Sequence, residues 1–418
     1  MIETIRNAWR LPELRRRILF TLLVLLIYRL GSAILVPYIN YEELRSIISQ
    51  NSLFGLINVI SGNNFSRFSI FAMGISPYVN ASIVMQLLTI AIPYLENLNK
   101  EGEKGRKAIA AYTRYLSVAL AIVQALGMVL GFTQLLTIRS TLVVAMVTSV
   151  ICGGTSLLMW MGEQITDRGL GNGVSVIIFA GIVSGIPTTI VQTYNGIRIG
   201  SYAVYIVAFI LAFMFFSIVG VIAIQEGTRK IPVQYAKRVV GRKVYGGRNT
   251  HLPLKVNQSG VIPIIFAQTL TLFPSQMASF FPNNKFLANL SNSMDMTKPW
   301  TIAFYMLLIV AFTFFYTLVS FDPQEVAENI QQNGGFIPGI RPGKPTVAYM
   351  QRILNRLTLS GAIFLAIIAI LPTIVSAVMK TNDLQFTGTS TLIVVGVALE
   401  MIQQLEQHLI MRNYKGFL

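Results

Sequence analysis

Ionisable side chains are rare within the long apolar stretches of this 418-residue chain. Arg29 lies towards the outer part of the first stretch, and Glu163 and Glu400 lie near the ends of two others. Charged groups at mid-depth in a membrane are costly, and ion-coupled transporters usually keep them there for function. Their scarcity argues against ion-coupled transport and predicts a passive pathway that is powered by something else.

Residue types that bind metals or act as nucleophiles do not form a recognisable set either. Cys152 is the single cysteine and lies inside an apolar run, which excludes an intrachain disulfide framework and a cysteine-based metal site. His251 and His408 are far apart in the sequence. No Ser/His/Asp set or paired acid cluster occurs at membrane depth. We therefore expect no catalysed reaction, no cofactor and no metal.

The most glycine-rich segment of the chain is Gly169-Leu170-Gly171-Asn172-Gly173. A phosphate-binding loop would continue with a lysine that reaches the phosphates, and no lysine follows here. We interpret this segment as a tight turn that opens the next helix.

Helix breakers and amides are concentrated in two of the apolar stretches. The stretch 69–93 contains Asn80 and Gln86 together with a glycine and two prolines, and the stretch 258–281 contains Gln268 in a similar setting. Facing lipid, these groups would remain unpaired, so we expect them to face protein or a water-filled path. Ordinary hydrogen bonds between helices, worth about 0.6–2 kcal/mol each, are the alternative.

These residues are carried by segments long enough to cross a bilayer. The chain is 53% hydrophobic and only 12% charged, with a mean hydropathy of +0.61, whereas a soluble protein has about 25% charged residues. A spanning helix needs about 20 mostly apolar residues. We therefore predict an all-α polytopic membrane protein with ten transmembrane helices, at about 18–36, 69–93, 115–136, 141–161, 172–192, 202–224, 258–281, 300–320, 354–378 and 389–405.

The distribution of basic residues predicts the orientation of these spans. With the N-terminus inside, 25 of the 33 Lys and Arg residues fall in inside segments and 8 fall outside. Such a bias is typical of the cytoplasmic side, so both termini are predicted to be cytoplasmic. The net charge of +16 could also indicate nucleic-acid binding, but its distribution favours a topogenic role.

The ten spans divide into two halves of five, which an odd number of spans would place in opposite orientations. We predict a cytoplasmic amphipathic helix at 1–17, an N-terminal half at 18–192, an external hinge at 193–201, a C-terminal half at 202–405 and a cytoplasmic tail at 406–418. The cytoplasmic loops at 225–257 and 322–353 are much longer than the usual helix connections. They are candidate docking sites, although an ordered loop without a binding role is the alternative.

Four long motifs resemble the SecY family, the channel subunits of the bacterial SecYEG translocon. They are Met73–Leu88, Trp160–Ile182, Tyr235–Ala267 and Phe321–Thr346, and the resemblance extends over essentially the whole chain. It implies two inverted halves arranged like a clamshell around an hourglass pore. Without it, a secondary transporter for a small solute or a membrane-embedded enzyme would be the competing interpretations. The first would need mid-membrane charges and the second convergent acids or a metal site.

The resemblance also implies roles for individual residues. An apolar ring that closes the pore corresponds to Val79, Ile83, Ile178, Ile265, Thr269 and Ile393, of which only Thr269 is polar. A plug outside the ring corresponds to Leu53, Phe54, Gly55, Leu56, Ile57, Asn58, Val59, Ile60, Ser61 and Gly62. Gly62-Asn63-Asn64 stands where many relatives have a run of glycines. Spans 2 and 7 correspond to the lateral gate, with Asn80, Gln86, Gln124 and Gln268 as candidate polar groups, and Gln268 and Gln124 as candidates for contacts across it.

The two long loops resemble the surface that binds the ribosome and the motor ATPase SecA. The candidate docking residues are the basic residues Lys237, Arg238, Arg242, Lys243, Arg248 and Arg341. The resemblance further implies small membrane subunits similar to SecE and SecG, signal sequences and preproteins as cargo, contact with membrane lipid, and SecDF and YidC as additional partners. It implies the bacterial cytoplasmic membrane as the location. We expect a channel that passes unfolded preproteins outward and releases membrane helices sideways.

Overall fold

Ten long helices, four short ones and five short strands make up the part of the chain that the computed structural model describes. That part comprises residues 6, 9–44, 58, 61–200, 203–235, 238–240, 243–245, 249–280, 285–294, 298–379 and 388–415. The long helices are α1 (Pro12–Gly31), α3 (Ser76–Ala91), α5 (Glu103–Gly131), α6 (Thr141–Arg168), α7 (Gly173–Ile199), α8 (Val204–Glu226), α9 (Ile262–Phe280), α11 (Pro299–Ser320), α13 (Lys344–Met379) and α14 (Gly388–Lys415). The short helices are α2 (Asn64–Arg67), α4 (Pro93–Lys100), α10 (Lys285–Ser293) and α12 (Pro323–Gln332).

Each of the ten predicted spans coincides with one long helix. By length and composition alone, six helices among the described residues could cross a membrane, and the count rises to seven if α3 and α4 form one broken span. The helix α1 also carries Arg15, Arg16 and Arg17 in its first turns, so the apolar part of this helix is shorter than the helix itself. Almost none of α8 is buried by the rest of the chain, so most of its apolar side chains lie on the outside of the helix bundle.

Several helix boundaries differ from the predicted ones. The helix α1 begins at Pro12, so residues 12–17 continue into the first span and are not a separate helix. The second span is interrupted at Ile92, where α4 turns away by 97°. Ile92 is extended because it precedes Pro93, which disfavours helical backbone. The helix α7 continues to Ile199 and ends at Gly200 with φ +81°, so the predicted external hinge at 193–201 is mostly helical.

The five helices of each half pack in the same pattern. In the first half, α1 contacts α6 and α7, and the successive pairs α3–α5, α5–α6 and α6–α7 are in contact. In the second half, α8 contacts α13 and α14, and the successive pairs α9–α11, α11–α13 and α13–α14 are in contact. Across the halves, α9 packs against α3 and α5, and α14 packs against α7. Residues from both halves can therefore meet along α3, α7, α9 and α14.

The glycine-rich turn between α6 and α7 lies where the two halves meet. Its interpretation as a tight turn is confirmed, since Gly171 has φ +78° and the Asn172 side chain accepts hydrogen bonds from the first N–H groups of α7. The Gly171 N–H donates to Gln404 Oε1 of α14 at 2.8 Å. Gly173 is required sterically because a Cβ there would lie 1.8 Å from the Gly162 carbonyl oxygen.

The two long loops that are predicted to be cytoplasmic join into one packed unit, named the cytoplasmic unit after that prediction. The all-α prediction did not include this unit. Strand β1 (Thr228–Tyr235) pairs antiparallel with β4 (Asn249–Lys255) and with β5 (Gly335–Phe336) of the other loop, in the order β4-β1-β5. A separate hairpin is formed by β2 (Arg238–Val240) and β3 (Lys243–Tyr245). Side chains of β1 alternate, and those facing inward build a common apolar core with α12 and the start of α13, which includes Ile231, Val233, Leu254, Ile330, Ile337 and Met350. The predicted loop 322–353 is therefore largely ordered secondary structure.

Candidate functional site

A buried apolar cluster lies where helices of both halves meet. Five of the six predicted ring residues belong to it, namely Val79 and Ile83 of α3, Ile178 of α7, Ile265 of α9 and Ile393 of α14, and none of them is more than 9% exposed. Val79 and Ile83 are four residues apart, which places them on one face of α3. Four helices from two halves thus contribute branched apolar side chains to one buried cluster. A narrow apolar constriction resists wetting and blocks ions.

Thr269, the sixth predicted ring residue, lies one helical turn beyond Ile265 on α9 and is half-buried. Its hydroxyl donates to the Ile265 carbonyl oxygen at 2.7 Å. The polar group is therefore satisfied within its own helix, and it leaves the apolar character of this position largely unchanged.

The segment predicted as the plug is described only in part. Leu53, Phe54, Gly55, Leu56, Ile57, Val59 and Ile60 lie outside the described residues. Asn58 and Ser61 are buried, and the Ser61 hydroxyl donates to the Asn58 carbonyl oxygen at 3.0 Å. Gly62 and Asn63 both have positive φ, +68° and +64°. Asparagine adopts this left-handed conformation more readily than other non-glycine residues, so Asn63 can occupy this turn.

The four predicted amides lie on the three helices of the seam, with Asn80 and Gln86 on α3, Gln268 on α9, and Gln124 on α5, which packs against both. Gln124 of α5 is 4% exposed and Gln268 of α9 is 5% exposed, while Gln86 donates weakly to Ser82 of its own helix at 3.4 Å. Among the described residues no hydrogen bond joins Gln124 to Gln268, so the predicted contact across the seam is not formed. Instead, three buried amide atoms have no partner within the described chain: Asn80 Nδ2, Gln86 Oε1 and Gln124 Nε2.

The few ionisable residues of the spans lie at their edges. Glu163 of α6 pairs with Arg114 of α5, with 2.9 Å between Oε2 and Nη2. Arg29 donates from Nη1 to the Ser184 hydroxyl of α7 at 3.2 Å in an exposed position. Glu400 is half-buried on α14, one turn before Gln403, whose Oε1 accepts from Lys255 Nζ at 2.7 Å. Among the described residues no group of His, Cys, Asp and Glu could hold a metal.

The predicted docking residues separate into two groups. Lys237, Arg242 and Arg248 lie outside the described residues, whereas Arg238 and Lys243 lie in the strands of the β2–β3 hairpin. Arg341 is exposed between β5 and α13, and its carbonyl oxygen accepts from the Thr346 hydroxyl at 2.9 Å. Gly339 and Gly343 on either side have φ +81° and +94°. Arg341 is thus displayed by two left-handed turns that stand on the apolar core of the cytoplasmic unit.

The sequence analysis did not single out Tyr28 of α1. Its aromatic side chain belongs to the same buried cluster as the predicted pore-ring residues. Its hydroxyl contacts Ser61 of the predicted plug and Asn64, two residues after the end of that segment. The signal available in the sequence was a tyrosine in an otherwise aliphatic run, followed much later by two adjacent asparagines. Nothing in the sequence alone connects the two.

The sequence model of the SecY family matches residues 69–402. The chain belongs to the SecY family. It is 48% identical to the protein translocase subunit SecY of Halalkalibacterium halodurans, with full coverage of both chains. The fold resembles a solved protein-conducting channel with a TM-score of 0.68 and 19% identity, over 96% of each chain. It also resembles Sec61 in the canine ribosome-channel complex from the endoplasmic reticulum, with a TM-score of 0.64 and 18% identity, over 96% of each chain. The resemblance and the ten-helix fold predicted from the sequence are confirmed.

Proposed function

We propose that this protein is the channel subunit of a bacterial protein translocase. It would pass unfolded preproteins across the cytoplasmic membrane and release membrane helices sideways into lipid. The observation that carries this proposal is the buried cluster of branched apolar side chains at the junction of the two halves, in a chain whose relatives are named translocase subunits. Both termini would be cytoplasmic, as the distribution of basic residues indicates.

The apolar ring would seal the resting pore and would also accept many cargoes. Isoleucine and valine offer no hydrogen bonds or charges, so they contact a passing polypeptide without selecting a particular sequence. The same side chains exclude water when no polypeptide is present, which blocks ions. The plug segment Leu53–Gly62 would cover the ring from outside and move away when the pore opens.

The seam between α3 and α9 would be the lateral gate. Three buried amide atoms on α3 and α5 have no hydrogen-bond partner among the described residues, and an unsatisfied buried polar group costs about 1–3 kcal/mol. This cost makes the closed seam weakly held, as a gate that parts for signal sequences requires. The N-terminal half at 18–192 and the C-terminal half at 202–405 would move as two bodies about the link near residue 200.

The cytoplasmic unit would bind the partners that drive transport. Arg341 lies beside the apolar core, and the basic β2–β3 hairpin lies in the chain between β1 and β4 of that core, so the ribosome or the motor ATPase SecA could engage both loops at once. Guanidinium in a fixed frame can form bidentate contacts with a carboxylate or a phosphate, which lysine cannot. The exposed face of α8 and its neighbours leaves room for small subunits similar to SecE and SecG. The protein itself would catalyse no reaction.

Reconstitution tests this proposal directly. The protein is incorporated into liposomes with SecE-like and SecG-like subunits, and SecA, ATP and a signal-bearing preprotein are added outside. We expect protease-protected preprotein that depends on ATP and on the signal sequence. A protein that inserts correctly but protects no preprotein would overturn the proposal. Uptake of a small solute without SecA would favour the transporter alternative.

A further inference from the structure

We propose that Gln404 of α14 is a positioning residue that fastens the two halves of the chain to each other beside the start of α7. Its side chain and the turn at 169–173 form a clasp, which stays closed while the seam between α3 and α9 parts. The inference rests on the proposed function, and it names the point about which one half turns on the other.

The turn at 169–173 donates its backbone N–H groups to helices of both halves. The N–H groups of Leu170 and Gly173 donate to threonine hydroxyls of α1 and α6, at 3.1 and 2.9 Å, and both helices belong to the N-terminal half. The Gly171 N–H instead donates to Gln404 Oε1 at 2.8 Å. Because α14 belongs to the C-terminal half, this third hydrogen bond joins one half to the other.

Apolar contacts shield the hydrogen bond of the clasp. Leu170 is 3% exposed and belongs to a small buried cluster with Leu405 of α14. Met401, also of α14, lies so near Gly171 that a Cβ there would be 3.2 Å from its Cγ. Gly171 is itself buried, so its N–H has little access to water. A buried donor without an acceptor is unfavourable, and the Gln404 side chain therefore stabilises the contact between the halves.

The neighbouring residue, Gln403, makes a bond of the same kind within its own half. Its Oε1 accepts from Lys255 Nζ of β4 at 2.7 Å. Two adjacent glutamines of α14 thus use the same side-chain atom as an acceptor. The bond of Gln404 joins the two halves, and the bond of Gln403 does not. The pair therefore provides its own matched control.

The clasp lies at one end of α7, and the covalent link between the halves lies at the other. The helix has 27 residues, which corresponds to a length of about 40 Å. Different helices form the seam, since α9 packs against α3 and α5, whereas α14 packs against α7. With the halves held at both ends of α7, one half can rotate about this helix. The seam then parts without breaking the clasp.

Two pairs of spin labels measure whether the clasp and the seam move differently. In a Cys152→Ala background, Arg168→Cys and Gln407→Cys place labels beside the clasp, on exposed positions of α6 and α14. Val84→Cys and Leu270→Cys place labels on exposed positions of the seam helices α3 and α9. Pulsed electron paramagnetic resonance gives both distances in proteoliposomes that also contain the small partner subunits, at rest and with a preprotein trapped. We expect the seam pair to separate upon trapping while the clasp pair keeps its distance. An equal increase in both distances would overturn the proposal.

The side chain of Gln404 is tested in the resting protein. Gln404→Leu removes the acceptor and should raise the fraction of molecules with a longer clasp-pair distance about tenfold. Gln404→Glu should restore the original distance, because a carboxylate oxygen also accepts from an N–H. Gln403→Leu is the matched control and should leave the distance unchanged. An unchanged distance in Gln404→Leu, a failure of glutamate to restore it, or the same change in Gln403→Leu would overturn the positioning role.

Preprotein transport by the labelled proteins is measured first. This measurement separates the two proposals, because absence of transport contradicts the proposed function alone. The resting distances of the Gln404 variants still decide whether this side chain holds the halves together.

Discussion

Gln124→Leu isolates the cost of the unpaired amide at the seam. Gln124 is 4% exposed on α5, which packs against both α3 and α9, and its Nε2 has no hydrogen-bond partner in the described chain. Leucine is similar in size and has no polar group to satisfy. In the closed state the change should remove an unfavourable term of about 1–3 kcal/mol. When the seam parts, water or the passing polypeptide can hydrogen-bond to the amide. The substitution therefore does not lower the free energy of the open state.

The leucine variant should therefore favour the closed state by about 5- to 150-fold. The measurement is the opening probability in planar bilayers as a function of signal-peptide concentration, together with the minimum signal hydrophobicity that supports export. We expect the variant to need more peptide and a more hydrophobic signal.

A matched control removes a similar amide away from the seam. Gln225 of α8 also has a buried Nε2 without a partner among the described residues, and it packs beside Gly396 of its own half. Gln225→Leu should stabilise both gate states equally and leave the opening curve in place. An unchanged or easier opening in Gln124→Leu, or an equal shift in both variants, would refute this account of the seam.

Three further predictions concern the ring, the cytoplasmic unit and the turn between α6 and α7. Replacing a buried ring isoleucine, Ile83, Ile178 or Ile393, with serine should raise the closed-state ion conductance because a wetter constriction loses its barrier to ions. Unchanged single-channel conductance in all three variants would place the ring elsewhere. Arg341→Glu should abolish SecA-driven export in proteoliposomes while the protein still inserts and folds, and normal ATP-driven transport would contradict the docking role. Gly173→Ala should lower the Tm in detergent by several degrees because its Cβ would overlap the Gly162 carbonyl oxygen. Gly153→Ala should leave the Tm unchanged, because a Cβ there meets nothing within 4 Å. Equal Tm values for the two variants would refute the steric argument.

The helix boundaries show how much of a helix a local hydropathy pattern can predict. The predicted end of the fifth span at 192 marks where the apolar run weakens, but the helix continues to Ile199 and ends where Gly200 permits a left-handed cap. The predicted start of the ninth span at 354 lies ten residues after Lys344, where the helix begins. Hydropathy detects the part of a helix that meets lipid, and it does not detect polar turns that extend into water.

The strands of the cytoplasmic unit illustrate a different limit. Ile231 and Val233 alternate with exposed residues in β1, a short pattern that says little by itself. The partner strand β5 is only two residues long and lies about 100 positions away in the other loop. Only the folded chain shows that the two loops share one core.

The sequence by itself determined the ten spans and the family, because hydropathy acts on each segment separately and motifs survive as runs of residues. The tertiary structure decided which distant side chains meet. Val79, Ile178, Ile265 and Ile393 join one cluster only because α3, α7, α9 and α14 converge, and Tyr28 reaches Asn64 only because α1 passes beside the start of α2. Such contacts depend on the packing of whole helices against one another, and no local property of the sequence carries that information.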